Sequence, residues 1–196
     1  MTAAHSTVRE ALKTGTADAH RSLETAMNLT GANATRARYV QYLMALTSVH
    51  EALEPSLLAD PELRALIDDL PTRARADAGR HDLASLGEAQ HRRRFTAQLP
   101  MNTVAEKLGV LYVLEGSTLG GQVLRRELKS ALGIHDESLR YVSGYGELTG
   151  PKWKHFLEAL ERGVTTDEAR RQAVSAAQAT FEALQAFFEA HEVRTA

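Results

Sequence analysis

The sequence predicts an all-α fold of seven or eight helices in a single domain spanning residues 1–196. Three observations carry this. Large apolar residues recur at three-, four- and seven-residue steps over most of the chain. Capping residues stand where these stretches begin. No run alternates apolar and polar residues as a half-buried strand does.

Val8, Leu12, Ala19, Leu23 and Met27 define a first helix from about Ser6 to Met27, with a soft spot at Thr14-Gly15-Thr16. Gly31 to Thr35 reads as a loop. A second helix fits Thr35 to Ala59, with Tyr39, Tyr42, Leu43, Leu46, Val49 and Leu53 inward; His50, Glu51 and Glu54 read as its surface cluster. Asp60-Pro61-Glu62 supplies an N-cap, a first-turn proline and a first-turn acid for a short helix through about Leu70, and Pro71 starts another short segment. His81 to Phe95 is polar and shows no clear period. After Pro100, Asn102 or Thr103 caps a long helix, with Glu106 placed for a capping box. That helix ends near Gly133. Residues 134–150 read as a connection with a helical turn near Glu137. Thr149-Gly150-Pro151 opens a helix through about Arg162, with Trp153 and Phe156 read as core. Thr166-Asp167-Glu168 caps the last helix, which runs to about His191 with Phe181, Leu184 and Phe188 inward. Residues 1–5 and 192–196 are expected to be flexible ends.

Composition narrows the function classes. The chain has no cysteine, which removes disulfides, thiolate metal sites and a cysteine nucleophile. A formal net charge of −2 without a basic patch interleaved with aromatics argues against nucleic acid. No apolar stretch approaches the roughly 20 residues that cross a bilayer, and Met1 to Glu10 lacks the apolar centre of a signal peptide, so no membrane insertion and a cytoplasmic location are expected.

Helix propensity does not explain the segment Leu111 to Leu124. Gly116, Gly120 and Gly121 stand in the middle of an apolar helix, each costing about 0.5–1 kcal/mol relative to alanine, so together about 2–3 kcal/mol. Gly116 and Gly120 are four apart and share a face. A bare face of this kind admits a flat ligand against the backbone, with Ser117 beside it; tight packing on another helix is the alternative. On the first helix His20 lies at the edge of the apolar stripe, with Glu24 one turn later and Lys13 about two turns earlier. A metal-binding imidazole is commonly oriented by an acceptor on its other nitrogen, which Glu24 can supply.

Together these segments resemble the haem oxygenase family. Leu12-Lys13-x-x-Thr16-x-x-x-His20-x-x-x-Glu24 resembles the family's proximal helix, and Leu114-Glu-Gly-Ser-Thr-Leu-Gly-Gly-Gln-Val-Leu124 its glycine-bearing distal helix. The likeness is to bacterial enzymes, including those associated with bacterial phytochromes. It implies an all-α bundle with haem b, both substrate and cofactor, between a proximal and a kinked distal helix. His20 is then the axial iron ligand and Glu24 its partner. Gly116, Gly120 and Gly121 let the distal helix bend and pass close over the ring, and Ser117 stands beside the oxygen site. Lys13 resembles a propionate contact, Tyr112 another, and Lys154 a third, with Lys152 and Arg125 behind it. The implied reaction consumes O2 and electrons from an external donor such as a ferredoxin or a reductase, and releases biliverdin, CO and iron. The animal enzymes carry an aspartate where Ser117 stands, so the distal water here requires another anchor.

Two other classes compete. A haem carrier or sensor would share the fold. A di-iron carboxylate oxidase would need Glu-x-x-His pairs, of which Glu88-Ala-Gln-His91 is the one match, in a stretch that reads as a solvated face.

Overall fold

The computed structural model of the protein describes residues 7–88 and 94–190. Among them are eight α-helices and no strand: α1 (Val8–Gly15), α2 (Ala17–Met27), α3 (Arg36–Ala59), α4 (Pro61–Leu66), α5 (Ala76–Ser85), α6 (Val104–Leu132), α7 (Thr149–Gly163) and α8 (Asp167–Glu189). None is long and apolar enough to cross a membrane.

Local chemistry sets most of these boundaries. Thr7 and Glu10 form a capping box at α1, and Thr103 and Glu106 form another at α6. Thr35, Asp60 and Thr166 each accept a backbone N–H at the starts of α3, α4 and α8. Gly133 ends α6 with φ +62°, a left-handed conformation that glycine adopts without a Cβ penalty. The helix expected from Ser6 to Met27 is two, broken at Thr16, whose hydroxyl donates to the Leu12 carbonyl at 2.7 Å and whose φ of −101° and ψ of 1° leave the helical region. The expected flexible ends lie outside the described residues, as do Ser6 and His191. Three short 3-10 turns, Leu70–Arg73, Asp136–Ser138 and Gly146–Leu148, shape the connections around α5 and α7.

Helix α6 is the spine. It packs most extensively on α8 and also touches α7 and α4; α8 in turn carries α2, α1 and α3. Gly109 permits the α6–α8 approach: a Cβ there would stand 2.2 Å from the Ala173 carbonyl oxygen. Both α2 and α6 therefore rest on α8 without packing broadly on each other.

Helix α5 begins in the short segment expected after Pro71 and runs into the polar stretch from His81. Its buried face holds Ala76, Gly79, Asp82 and Leu83. Asp82 is fully buried and accepts from the backbone N–H groups of Arg140 (3.1 Å) and Tyr141 (2.7 Å). Gly79 lies so close to α3 that a Cβ would overlap the Thr47 side chain.

Asp60 illustrates how charge stabilises a helix start. Its carboxylate accepts from the Leu63 N–H at 2.9 Å and from Lys107 Nζ at 2.6 Å. Burial pushes its carboxyl up, but the Lys107 and backbone bonds outweigh this and hold it below its ordinary value. A depressed carboxyl stabilises the fold above its unfolded value and loses that contribution as pH falls through the folded value. Asp60→Asn keeps the cap and removes the charge, so it should cost about 1 kcal/mol, or about 2–4 °C in melting temperature, at pH 7. Thermal melts across pH should show that difference shrinking below pH 4.

Candidate functional site

A cavity of about 680 Å³ opens between α2 and α6. That is ample for a drug-sized or larger flat molecule, since ligand pockets run roughly 300–1,000 Å³. Its walls are mostly apolar. Leu23 and Met27 come from α2, Leu46 from α3, Val113 and Leu124 from α6, and Phe181 and Leu184 from α8.

His20 lines the α2 side. Its Nδ1 stands 3.3 Å from Glu24 Oε2, leaving Nε2 as the nitrogen available to a ligand, and its side chain is 53% exposed. Phe181 meets the imidazole edge-on, ring centroids 5.4 Å apart, and fixes its plane. Phe181, expected to serve packing alone, thus also supports the site.

The α6 side presents backbone. A Cβ on Gly120 would meet nothing within 4 Å, and one on Gly116 would reach only the Trp153 ring at 3.8 Å. Gly121 differs: its Cβ would fall 2.5 Å from the Val142 carbonyl oxygen. The two readings of the glycine segment therefore divide between residues. Gly116 and Gly120 leave the cavity wall bare, while Gly121 admits the 139–145 connection against the helix. α6 is helical without interruption through all three. Ser117 lines the same wall, but its hydroxyl donates to the Leu114 carbonyl at 2.6 Å, so it offers a ligand its lone pairs.

A buried ionic network lies behind this wall. Glu115, 4% exposed, accepts from Arg73 Nη1 at 2.6 Å and from the Tyr145 hydroxyl at 2.9 Å. Burial pushes the Glu115 carboxyl up, while Arg73 and Tyr145 pull the other way. Arg73 also donates to Asp69 and to the Lys152 carbonyl, joining α6 to α7. Breaking such a pair strands a charge, which is why the register of the glycine segment is firmly set.

Sequence reasoning placed His50 and Glu54 on the surface, and the structure corrects this. They are 3% and 9% exposed, and His50 Nδ1 lies 2.8 Å from Glu54 Oε1. Glu54 also accepts from the backbone N–H groups of Arg75 and Ala76. Burial pushes its carboxyl up, but these bonds outweigh it and hold the group below its ordinary value. His50 lines the cavity. So does Tyr141, which sequence reasoning missed altogether. Its hydroxyl is buried and has no hydrogen-bond partner among the described residues. Burial raises that hydroxyl well above its ordinary value, with Arg75 and then the Ser117 hydroxyl, close enough to interact with it, pulling the other way. No periodic pattern flags an aromatic in a glycine-rich connection.

Of the expected propionate contacts, Tyr112 lines the cavity, tilted on Trp153 with centroids 5.6 Å apart. Trp153, expected to be core, is thus part of the wall. Arg9 on α1 acts electrostatically on the Tyr112 hydroxyl, and Lys13 lies one turn further along α1, exposed and outside the cavity lining. Lys154 is 82% exposed, lies 4.0 Å from Glu158 and is outside the cavity lining, the inward face of α7 being occupied by Trp153, Phe156 and Leu160. Lys152 and Arg125 are engaged by Asp69 and Asp136. Glu88 pairs with Arg36 at 3.2 Å, and His91 of the Glu88–His91 motif lies outside the described residues. Asp68, Asp69 and His155 converge elsewhere, with Asp69 already committed to Arg73 and Lys152.

Known proteins resemble this chain along most of its length. The heme oxygenase family model matches residues 6–190. Heme oxygenase PigA of Pseudomonas aeruginosa is 30% identical over 166 residues, 85% of this chain and 83% of that protein. A heme oxygenase of Xanthomonas campestris is 34% identical over 112 residues, 56% of this chain and 64% of the relative. Among solved structures, the NO- and CO-bound heme oxygenase of Neisseria meningitidis superposes with a TM-score of 0.81 at 27% identity, covering 94% of this chain and 92% of that one. Heme oxygenase of Leptospira interrogans shares the fold with a TM-score of 0.74 at 18% identity, covering 94% and 100%. A cavity walled by an oriented imidazole and by bare helix backbone, in a chain matched along almost its whole length, places this protein in the heme oxygenase family.

Proposed function

We propose that haem lies in the cavity between α2 and α6, with His20 as its axial ligand, and that the chain opens it to biliverdin. As a family member the protein is a haem-degrading oxidoreductase. One observation carries the residue-level reading. A histidine with one nitrogen oriented by Glu24 lines the same apolar cavity as a stretch of α6 from which side chains are missing at Gly116 and Gly120.

Bound haem supplies the reactive iron and, as substrate, the carbon that is oxidised. The protein supplies position and environment. Glu24 holds the His20 ring in the tautomer that presents Nε2. Phe181 keeps that ring from turning. Leu23, Leu46 and Leu184 exclude water, which strengthens electrostatic interactions inside the cavity. Gly116 and Gly120 leave room on the α6 side for a small second ligand but none for a strong acid or base of their own. Tyr112, with Arg9 and Lys13 on the nearby helix, supplies the hydroxyl and positive charge that suit haem carboxylates and fix the ring's in-plane rotation. O2 and reducing electrons come from outside the chain, the latter from a ferredoxin or reductase. The overall change converts haem, O2 and electrons to biliverdin, CO and iron.

A carrier would bind haem in the same cavity. Adding reductant in air to the haem-loaded protein separates the two: the enzyme loses its Soret band as biliverdin appears, whereas a carrier stays as a stable complex.

His20→Ala should lose the normal haem spectrum and slow biliverdin formation by about 100-fold or more, since even outer partners of a ligand are worth 10–100-fold. Unchanged spectra and turnover would remove the assignment. Gly120→Leu should raise helix stability by up to about 1 kcal/mol while suppressing turnover, because the side chain enters the cavity. Gly121→Ala should instead destabilise by about 1–3 kcal/mol through overlap with Val142. Thermal melts with single-turnover assays check both, and wild-type turnover in Gly120→Leu would contradict the bare-wall reading.

A further inference from the structure

Helix α1 is mounted separately from the helix that carries His20. The break at Thr16 ends α1, and α2 begins afresh at Ala17. A helix of eight residues does not hold itself together in water, so α1 depends on its neighbours. Val8 and Leu12 are buried where it packs on α8 and α7. Gly15 lies so close to α8 that a Cβ would fall 2.5 Å from Val174 Cγ1.

Both ends of α1 are tied by side chains from distant parts of the chain. The first N–H groups of a helix have no acceptor within it. Here the Glu10 N–H goes to the Thr7 hydroxyl at 3.1 Å. Those of Val8 and Arg9 go to the two carboxylate oxygens of Glu161 on α7, at 3.3 and 3.2 Å. A carboxylate at this end also opposes the positive pole of the helix. At the other end the Gly15 carbonyl accepts from Gln178 Nε2 on α8 at 2.7 Å. Apolar contact is non-directional and lets a short helix slide or roll. Hydrogen bonds at both ends fix its axial position and its rotation.

What this mounting fixes is a pair of cations. Arg9 and Lys13 are four apart, share a face of α1 and are exposed. No ion pair with a described residue engages either of them. Arg9 acts electrostatically on the hydroxyl of Tyr112, which lines the cavity.

We propose that Glu161 and Gln178 are positioning residues for the regiochemistry of ring opening: by tying both ends of α1 they hold Arg9 and Lys13 where the carboxylates of bound haem meet them, and so decide which meso carbon is attacked. The proposal rests on the haem-binding reading above. The meso bridges of haem differ only in the side groups beside them, so rotating the ring in its plane exchanges one bridge for another. Glu161 and Gln178 do not line the cavity and act through the cations. A loosened α1 would let the carboxylates pivot while His20, on α2, keeps the iron.

The test uses haem-loaded Glu161→Ala and Gln178→Leu, with Glu161→Gln as the conservative variant. All three should keep the Soret band and total turnover within about twofold of wild type, the usual scale for surface substitutions. The minor biliverdin isomers, separated by chromatography, should rise about three- to tenfold in Glu161→Ala and Gln178→Leu, the shift that losing a hydrogen bond gives. They should rise less in Glu161→Gln, which keeps one acceptor oxygen. Proton NMR of the cyanide-bound ferric complex should show the haem methyl signals of a second in-plane orientation. Arg9→Ala with Lys13→Ala should shift the isomers as well, and adding Glu161→Ala to that pair should change nothing further. A full further shift there would overturn the proposal, because Glu161 would then act otherwise than through the cations. Wild-type isomer ratios in both Glu161→Ala and Gln178→Leu would also overturn it. So would loss of the Soret band in both, which would assign the ties to haem binding itself; failure of the haem reading shows instead in His20→Ala.

Discussion

Helical bundles stabilise themselves by closing gaps, so the governing constraint on this molecule is that α2 and α6 must be kept apart. Interiors pack like organic crystals, and a cavity of about 680 Å³ forfeits contacts that neighbouring helices would otherwise make. Helix α8 enforces the separation. It packs on α6 through the Gly109–Ala173 approach and on α2 further along, so both helices are anchored to a third element. The Arg73–Glu115 pair then prevents α6 from rolling, because rotation would pull a buried carboxylate from its guanidinium. The glycine face is aimed by a salt bridge that never touches the cavity.

The helices with apolar stripes and caps were legible in the sequence. Thr103–Glu106 and Gly133 bracket α6 as the pattern implied, and Asp60-Pro61 opens α4. What escaped is which polar residues are buried. Helix α5 hides Asp82 and Arg75, and α3 buries Gln41, Thr47, Ser48, His50 and Glu54 along with its aliphatic residues. Periodicity reasoning assigns polar residues to solvent, so it turns such faces outward. What rescues them in the fold is specific hydrogen bonding, which a one-dimensional pattern does not display.

The site divides in the same way. His20, Glu24 and the glycines stand at fixed spacings on single helices and were read from the chain. Tyr141 and His50 come together from two separate segments. Lys154, placed by likeness alone, faces water on the outer side of α7. Even the three glycines are not equivalent, since Gly121 serves chain packing while its neighbours serve the cavity.

The two walls differ in rigidity. Helix α6 buries side chains along most of its length, whereas α2 fully buries only Leu23 and is separated from α1 by the break at Thr16. Local opening costs least where few apolar contacts are lost. The imidazole thus rides on the yielding jaw of the clamp and the bare backbone on the stationary one. An opening motion confined to α2 would therefore leave the bare backbone of α6 in place.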